Sequence, residues 1–271
     1  MEKLKTTICI IGGGPAGATT SIFLGKQGID HVLVDAAEFP RDKVCGDGLD
    51  LNVIRVLNQI DPLIVEKELM QENSPFTVSG GLRFILGNGK NVDIIESSFE
   101  NPSGKTLPRP VFFVGKRADF DALLISKIDQ KVTSPRFGTK VTGIERVGKG
   151  WKITGKNASG SIEIEADFIV GADGDHSVVV KHLGERKIDR SHYAGALRQY
   201  WTGVKDTHKH NLLEIYFPKS LPLSYFWIFP LPDGKANVGY GMASKHISKE
   251  NINIRKEFEN LIKTDPVLRD R

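Results

Sequence analysis

The chain has 271 residues, 39% apolar and 26% charged, a balance that excludes disorder, collagen and coiled coil as descriptions of the whole and predicts two domains at about 150 residues each. The net charge of +4, from 37 Lys+Arg against 33 Asp+Glu without a run of like sign, argues for no nucleic-acid partner and does not oppose an anionic membrane surface. Cys9 and Cys45 stand far apart and form neither a disulfide framework nor a zinc site, which fits a reducing cytosol. In chain order, residues 6–11 read as a short buried strand. Gly12 to Gly14 break it, and a helix follows over 15–27 with Pro15 in its first turn. A second apolar strand covers 29–35, giving a βαβ unit. An irregular stretch over 36–48 precedes a helix over 49–60, and Pro62 interrupts the next one. Strand-like runs then carry Thr77, Val78, Leu82, Phe84 and Leu86, with a turn at Asn88-Gly89 and a return over 92–95. A Pro- and Gly-rich loop is expected over 101–110 and a helix over 117–128. The stretch 137–171 reads as a β-meander that ends in a buried strand over 168–171, and a short helix follows near 176–183. Strands are expected over 194–204, 212–217, 225–229 and 236–240, and one last helix over 249–263. No apolar stretch reaches the roughly 18 residues that a membrane helix needs, and no signal peptide is visible.

Two textures alternate along this path. An α/β texture covers 1–73 and 105–185, and a β-rich texture covers 74–104 and 186–271. The expected fold class is therefore α/β, α+β overall: a Rossmann-like nucleotide-binding domain interleaved with a β-sheet substrate domain.

Gly12-x-Gly14-x-x-Gly17 follows a strand and opens a helix, and Asp35 lies 23 residues after Gly12. Gly12 permits a tight turn, Gly14 lets the backbone approach a pyrophosphate, and Gly17 lets helix and strand pack closely. Pro15 and Ala16 start the helix, whose N-terminus carries partial positive charge for the phosphates. Asp35 offers a carboxylate to ribose hydroxyls, which favours FAD or NAD over NADP. A second motif, Gly171-Ala172-Asp173-Gly174-x-x-Ser177, follows another apolar strand.

Together these two motifs resemble the FAD-binding fold of aromatic hydroxylases and their relatives, and Arg117-x-x-Phe120-Asp121-x-x-Leu124 fits the helix between them in that superfamily. The superfamily has Arg three residues after the Ser; this chain has Val180, followed by Lys181. Two further segments narrow the likeness. Pro40-Arg41-Asp42-Lys43-Val44-Cys45-Gly46-Asp47-Gly48-Leu49 resembles the P-x-x-K-x-C-G-x-G-L segment of geranylgeranyl reductases. Pro222-x-x-Tyr225-x-Trp227-x-Phe229-Pro230, followed by Ala236-Asn237-Val238-Gly239-x-Gly241, is similar to that family's second signature.

The resemblance implies an FAD enzyme that saturates isoprenoid double bonds in a prenylated lipid or pigment precursor. Such a reaction takes a hydride from reduced flavin and a proton at the other alkene carbon. Cys45 is the candidate closest to the flavin, as a proton donor or as a side chain packed on the ring; a thiol of ordinary pKa, about 8.5, keeps its proton near neutral pH. A small buried hydrophobe is the other reading of Cys45. Gly46 and Gly48 let the backbone approach a flat ring, or simply make a turn. Tyr225, Trp227 and Phe229 are either the wall of an elongated apolar cavity or sheet core. Arg41 and Lys43 are phosphate ligands or solvated charge. By resemblance Arg117 reaches the cofactor from its helix, and Val141 lies on the strand that touches adenine through backbone atoms. His208-Lys209-His210 lacks a third ligand, so no metal site is expected.

The superfamily's third FAD motif is a Gly-Asp followed by small residues. Here Gly-Asp occurs only at Gly46-Asp47 and Gly174-Asp175, both assigned to other segments. A truncated chain is therefore expected, with the motif past Arg271 and the isoalloxazine half of FAD less supported than the adenosine half. No second dinucleotide motif is evident, so the electron donor is NAD(P)H in transit, ferredoxin or another carrier. The expected location is cytoplasmic, with peripheral membrane contact implied by a lipid substrate. A flavin monooxygenase or halogenase, whose W-x-W-x-I-P signature is loosely matched over 225–230, and a non-catalytic flavin or lipid carrier remain as alternatives.

Overall fold

The computed structural model describes residues 1–95, 98–100, 106–108, 111–184, 187, 189, 191–219 and 223–271. The chain forms two compact units, each built from two separated pieces: Met1–Lys43 with Arg117–Lys187, and Val44–Lys116 with Ile188–Arg271.

The first unit is built on a six-stranded sheet in the order Thr133–Arg136, His31–Val34, Glu2–Ile11, Gly160–Gly171, Gly150–Asn157, Lys140–Val147. The first four strands are parallel and the last three form an antiparallel meander. Cys9, Ile11, Val32 and Val34 meet Ile144, Ile153, Ile162 and Ile164 in one core cluster. Among the parallel strands, His31–Val34 is buried throughout and Glu2–Ile11 is buried at its end, Cys9–Ile11, so these runs are apolar where both faces are covered; helices Pro15–Lys26 and Arg117–Ser126 pack against each other in this unit. Beneath the first helix, Ser21 Oγ and Thr133 Oγ1 both reach His31 Nε2, at 2.7 and 3.0 Å, so this buried histidine is satisfied inside the core.

The expected buried strand over 168–171 is corrected. It is the end of the long strand Gly160–Gly171, and Phe168 is 63% exposed. The meander partner stops at Trp151, opposite Ala166, so the residues beyond have a sheet neighbour on one side only.

The second unit carries a six-stranded sheet in the order Ala194–Thr202, Lys235–Ala243, Ser224–Leu231, Leu213–Phe217, Gly81–Leu86, Asn91–Ile95. One face of it buries Tyr216, Phe226, Ile228 and Tyr240 against Phe258 and Leu261 of helix Ile254–Thr264; Phe226 and Phe258 stack at 5.4 Å. A three-stranded sheet pairs Gly48–Leu49 and Phe76–Ser79 with Phe112–Gly115. The second unit thus takes in Val44–Lys116, where sequence texture puts 44–73 and 105–116 with the α/β pieces.

Two other expectations change. The last helix begins later than expected and runs over Ile254–Thr264, because Asn253 caps it by accepting from Lys256 N–H, and a separate short helix, Ser244–Lys249, precedes it. Within the expected loop over 101–110, Thr106–Pro108 pairs with Ser98–Glu100; 101–105, 109 and 110 lie outside the described residues, as does Pro222. No helix among the described residues is long and apolar enough to cross a membrane.

Candidate functional site

In the first unit the turn after strand Glu2–Ile11 opens a cavity of about 580 Å³. Gly12, Gly14, Pro15, Ala16, Asp35, Arg41, Arg117, Val141 and Asp173 all line it, so the structure brings together nine of the predicted cofactor-binding residues. The glycines have separate reasons. Gly12 sits at φ +106°, which side chains rarely adopt, and a methyl there would collide with the Ala172 backbone. Gly17 does not line the cavity; a methyl on it would collide with the Gly12 carbonyl, so it serves close packing behind the turn. A methyl built on Gly14 meets only the two guanidinium tips, 3.5 Å from Arg41 Nη2 and 3.7 Å from Arg117 Nη2, and so would occupy the cradle itself. Gly14 is the N-cap of helix Pro15–Lys26, whose first N–H groups have no intrahelical acceptor.

Asp35 ends its strand by tying the turn. One carboxylate oxygen accepts Gly13 N–H at 2.6 Å and the other accepts Ala37 N–H at 2.8 Å. A carboxylate has about four lone-pair positions, so capacity remains for a ribose hydroxyl. Asp173 accepts from Val178 N–H at 2.6 Å and Val179 N–H at 3.3 Å, and thereby helps start the short helix Val178–Leu183. Ser177 caps the same helix by accepting from Val180 N–H, so Val180 contributes its backbone where the superfamily has an arginine side chain.

Charge at the rim is organised by Asp121, a residue quoted in a motif but given no role. Arg117 donates to its two oxygens from Nε at 2.6 Å and Nη2 at 2.8 Å. Arg41 Nη1 lies 3.1 Å from Asp121 Oδ2, is buried, and has no aligned hydrogen-bond acceptor among the described residues. An open glycine cradle at a helix N-terminus, with the Nη2 atoms of two guanidinium groups at its open side, suits the phosphates of an adenine dinucleotide, so these residues fit FAD.

In the second unit a cavity of about 260 Å³ is lined by Val44, Cys45, Gly46, Ala196, Leu197, Arg198, Tyr225, Trp227 and Phe229. All three predicted catalytic residues, Cys45, Tyr225 and Trp227, thus share one wall system. Gly48 lies outside it, on the two-residue strand Gly48–Leu49, where a methyl would be in ordinary contact with Leu213 and Phe229. Tyr225, Trp227 and Phe229 project to one face of strand Ser224–Leu231, with rings 5.8 and 6.5 Å apart in succession. Their neighbours Phe226 and Ile228 point to the opposite, core face. Gly239 pairs directly with Trp227 and Gly241 with Tyr225. A methyl on Gly239 would lie inside the Trp227 ring, so the glycine is what lets the indole lie flat on the neighbouring strand.

Asn237 joins the two signature segments. It is fully buried; its Nδ2 donates to the Cys45 carbonyl at 2.8 Å and to Asp47 Oδ2 at 2.7 Å, and its Oδ1 accepts Trp227 Nε1–H at 2.8 Å. Asp47 is buried at φ +64° and also accepts the Tyr200 hydroxyl at 2.7 Å. Arg198 lies over the Tyr200 ring at 4.1 Å and brings a cation to an otherwise mostly apolar lining. Sequence reasoning assigned no role to Asp47, Tyr200 or Asn237. The signal for Asn237 was its fixed place in the second signature; Tyr200 had none. Among the described residues no cluster of three metal-ligating side chains occurs.

A family profile described as geranylgeranyl reductase catalytic domain matches residues 194–269. The chain is 26% identical over 257 residues to digeranylgeranylglycerophospholipid reductase 1 of Methanothermobacter thermautotrophicus, covering 94% of this chain and 60% of that protein. It is 27% identical over 241 residues to menaquinone reductase of Mycolicibacterium smegmatis, covering 88% and 55%. The chain therefore spans about 60% or less of the length of these two curated relatives. Among solved structures, a geranylgeranyl bacteriochlorophyll reductase-like protein from Thermoplasma acidophilum superposes with TM-score 0.79 at 20% identity, over 98% of this chain and 64% of that one. A myxobacterial chondrochloren halogenase superposes with TM-score 0.78 at 21% identity, over 98% and 59%. Both share the fold. A profile described as FAD binding domain matches residues 5–231, the stretch that holds both cavities, and the chain belongs to this FAD binding domain family.

Proposed function

We propose that the chain is the dinucleotide-binding and substrate-facing portion of an FAD-dependent oxidoreductase that reduces isoprenoid double bonds in a prenylated lipid or pigment precursor. The observation that supports it best is the Asn237 network, which ties the cysteine segment to the strand bearing Trp227, so that Cys45 and an aromatic wall line one mostly apolar cavity. The names of the relatives, reductases of digeranylgeranyl lipids and of menaquinone, point to the same substrate class.

The unit of Met1–Lys43 and Arg117–Lys187 takes the adenosine diphosphate half of the cofactor. Gly12, Gly14, Pro15, Ala16 and Gly17 form the turn and helix start that receive the phosphates, with Arg41 and Arg117 as counter-charges. Asp35 receives the ribose, Val141 lies along the adenine, and Asp173 holds the second loop in shape. Cys45, Gly46 and Gly48 present backbone and thiol toward the flavin. Reduced FAD, when bound, supplies a hydride to one alkene carbon. Cys45 Sγ holds the proton that the other carbon needs, becomes a thiolate on giving it up, and is reprotonated from solvent. Tyr225 and Trp227, backed by Phe229, hold the prenyl chain against that thiol and exclude water. The electron donor is NAD(P)H, ferredoxin or another carrier. A cytoplasmic location is the reading that the two unpaired cysteines suit, and peripheral membrane contact is the reading that a lipid substrate suggests.

The test is anaerobic incubation of the protein with FAD, dithionite and a geranylgeranyl-bearing glycerophospholipid, followed by mass spectrometry of the lipid. A gain of two hydrogens per double bond is expected, falling sharply in Cys45→Ala. Oxygen uptake with a hydroxylated or halogenated product in air, and no hydrogenation without air, would sink the reading.

A further inference from the structure

We infer that Asp121 is a positioning residue: a buried counter-ion that sets Arg41 and Arg117 side by side at Gly14, ready for the diphosphate of a dinucleotide. The inference rests on the FAD reading above and extends it to a residue that the motifs leave without a task.

Arg117 and Asp121 stand one turn apart on helix Arg117–Ser126 and share a face of it. The fork from Nε and Nη2 to the two carboxylate oxygens fixes the plane of the Arg117 guanidinium. Arg41 arrives from a different stretch of chain. Its guanidinium carbon lies 5.0 Å from the centre of the Phe39 ring, and its Nη1 lies 3.1 Å from the same carboxylate. Asp121 is completely buried, so this carboxylate depends on its two arginines and not on water for compensation.

Two guanidinium groups share the one Asp121 carboxylate, which concentrates positive charge beside Gly14. That charge faces the place where an anion would sit, because both Nη2 atoms converge on the open side of Gly14. There the unpaired N–H groups of helix Pro15–Lys26 add partial positive charge. A guanidinium has five N–H donors, more than a bidentate fork to one carboxylate uses. Without Asp121 the two cations repel each other and each samples several rotamers. With it, the ordering cost is met when the unit folds and not when the ligand binds.

The test is calorimetric titration of the full chain with ADP and, separately, with adenosine, for wild type, Asp121→Asn and Arg117→Lys, with thermal unfolding recorded for each. Positioning predicts that Asp121→Asn weakens ADP by about tenfold or more, the order of one charge-assisted hydrogen bond, and leaves adenosine within about twofold. Arg117→Lys keeps the charge and the ion pair but not the fork, and is expected to show the same selective loss with unfolding close to wild type; it carries the test if Asp121→Asn does not fold. Equal losses for ADP and adenosine mean a merely structural role and overturn the inference. Unchanged ADP binding in Arg117→Lys overturns it too, while leaving the FAD reading in place. A wild-type chain that binds neither ADP nor FAD removes that reading and this inference together.

Discussion

Replacing Asn237 by alanine tests whether the cysteine segment is held by the sheet beneath it. The carboxamide makes three hydrogen bonds, to the Cys45 carbonyl, to Asp47 Oδ2 and from Trp227 Nε1–H, and it is completely buried. Two are bonds between neutral groups, each worth about 1 kcal/mol, and the one to a carboxyl oxygen is worth about 1.5–3 kcal/mol. The expected loss is therefore about 3.5–5 kcal/mol. Asp47 keeps the Tyr200 hydroxyl, which places the loss toward the lower end of that range. At roughly 2–4 °C per kcal/mol for a chain of this size, the transition of the β-rich unit should fall by about 7–16 °C. The assay is urea and thermal unfolding followed by far-ultraviolet circular dichroism and tryptophan fluorescence, since Trp227 loses its partner directly. A loss below about 1 kcal/mol with unchanged tryptophan emission would refute the reasoning, because a buried indole N–H left without its acceptor and a carboxyl group that loses a donor cannot together cost so little.

Further outcomes are expected elsewhere. Gly14→Ala adds a methyl that meets only guanidinium tips, so it should unfold within about 1 kcal/mol of wild type yet bind FAD at least about tenfold more weakly; Gly12→Ala, strained at φ +106° and pressed on Ala172, should lose stability as well. Burial pushes the Cys9 thiol up to about 12, while Cys45 is only half-buried, so a thiol reagent at pH 8 should titrate one cysteine in the folded chain and two in urea. The Asp93 carboxyl is held below its ordinary range, chiefly by the hydrogen bond from Arg83. A carboxyl with a lowered folded pKa stabilises above its unfolded pKa and loses that contribution as pH falls through the folded one. Because the pair is partly exposed, Asp93→Asn should cost below about 1 kcal/mol at pH 7, and the difference from wild type should vanish in acid.

The nucleotide turn was legible because its constraints are local. A strand, three glycines at fixed spacing, a helix start and Asp35 must fall within a few dozen residues, and each has its own steric or electrostatic reason. The aromatic run over 225–229 was legible only as two alternatives, since alternation along a strand does not say which face is covered. In the structure Phe226 and Ile228 join the core cluster with Phe258, while Tyr225, Trp227 and Phe229 line a cavity and Trp227 is buried as well, so the two alternatives overlap. What stayed hidden depends on distant partners. Asp121 and Arg41 lie 80 positions apart, and Asn237 and Cys45 lie 192 apart, and neither pairing has a periodicity to betray it. The exposure of Phe168 was hidden for the same reason, since it is decided by where the 150–157 strand stops pairing and not by the apolar run around it.

The interleaving of the two units has a consequence for how the chain is made. Strand Glu2–Ile11 pairs early with His31–Val34, but its other edge waits for Gly160–Gly171, with Ile8 opposite Phe168 and thus 160 residues away. At about 5–20 residues per second of synthesis that wait is about 8–32 s. Through it the strand presents an open ladder of N–H and C=O groups while the whole first piece of the β-rich unit emerges between the two partners. The strand therefore has high contact order, and the yield of folded protein should depend on how well that edge is shielded during the wait.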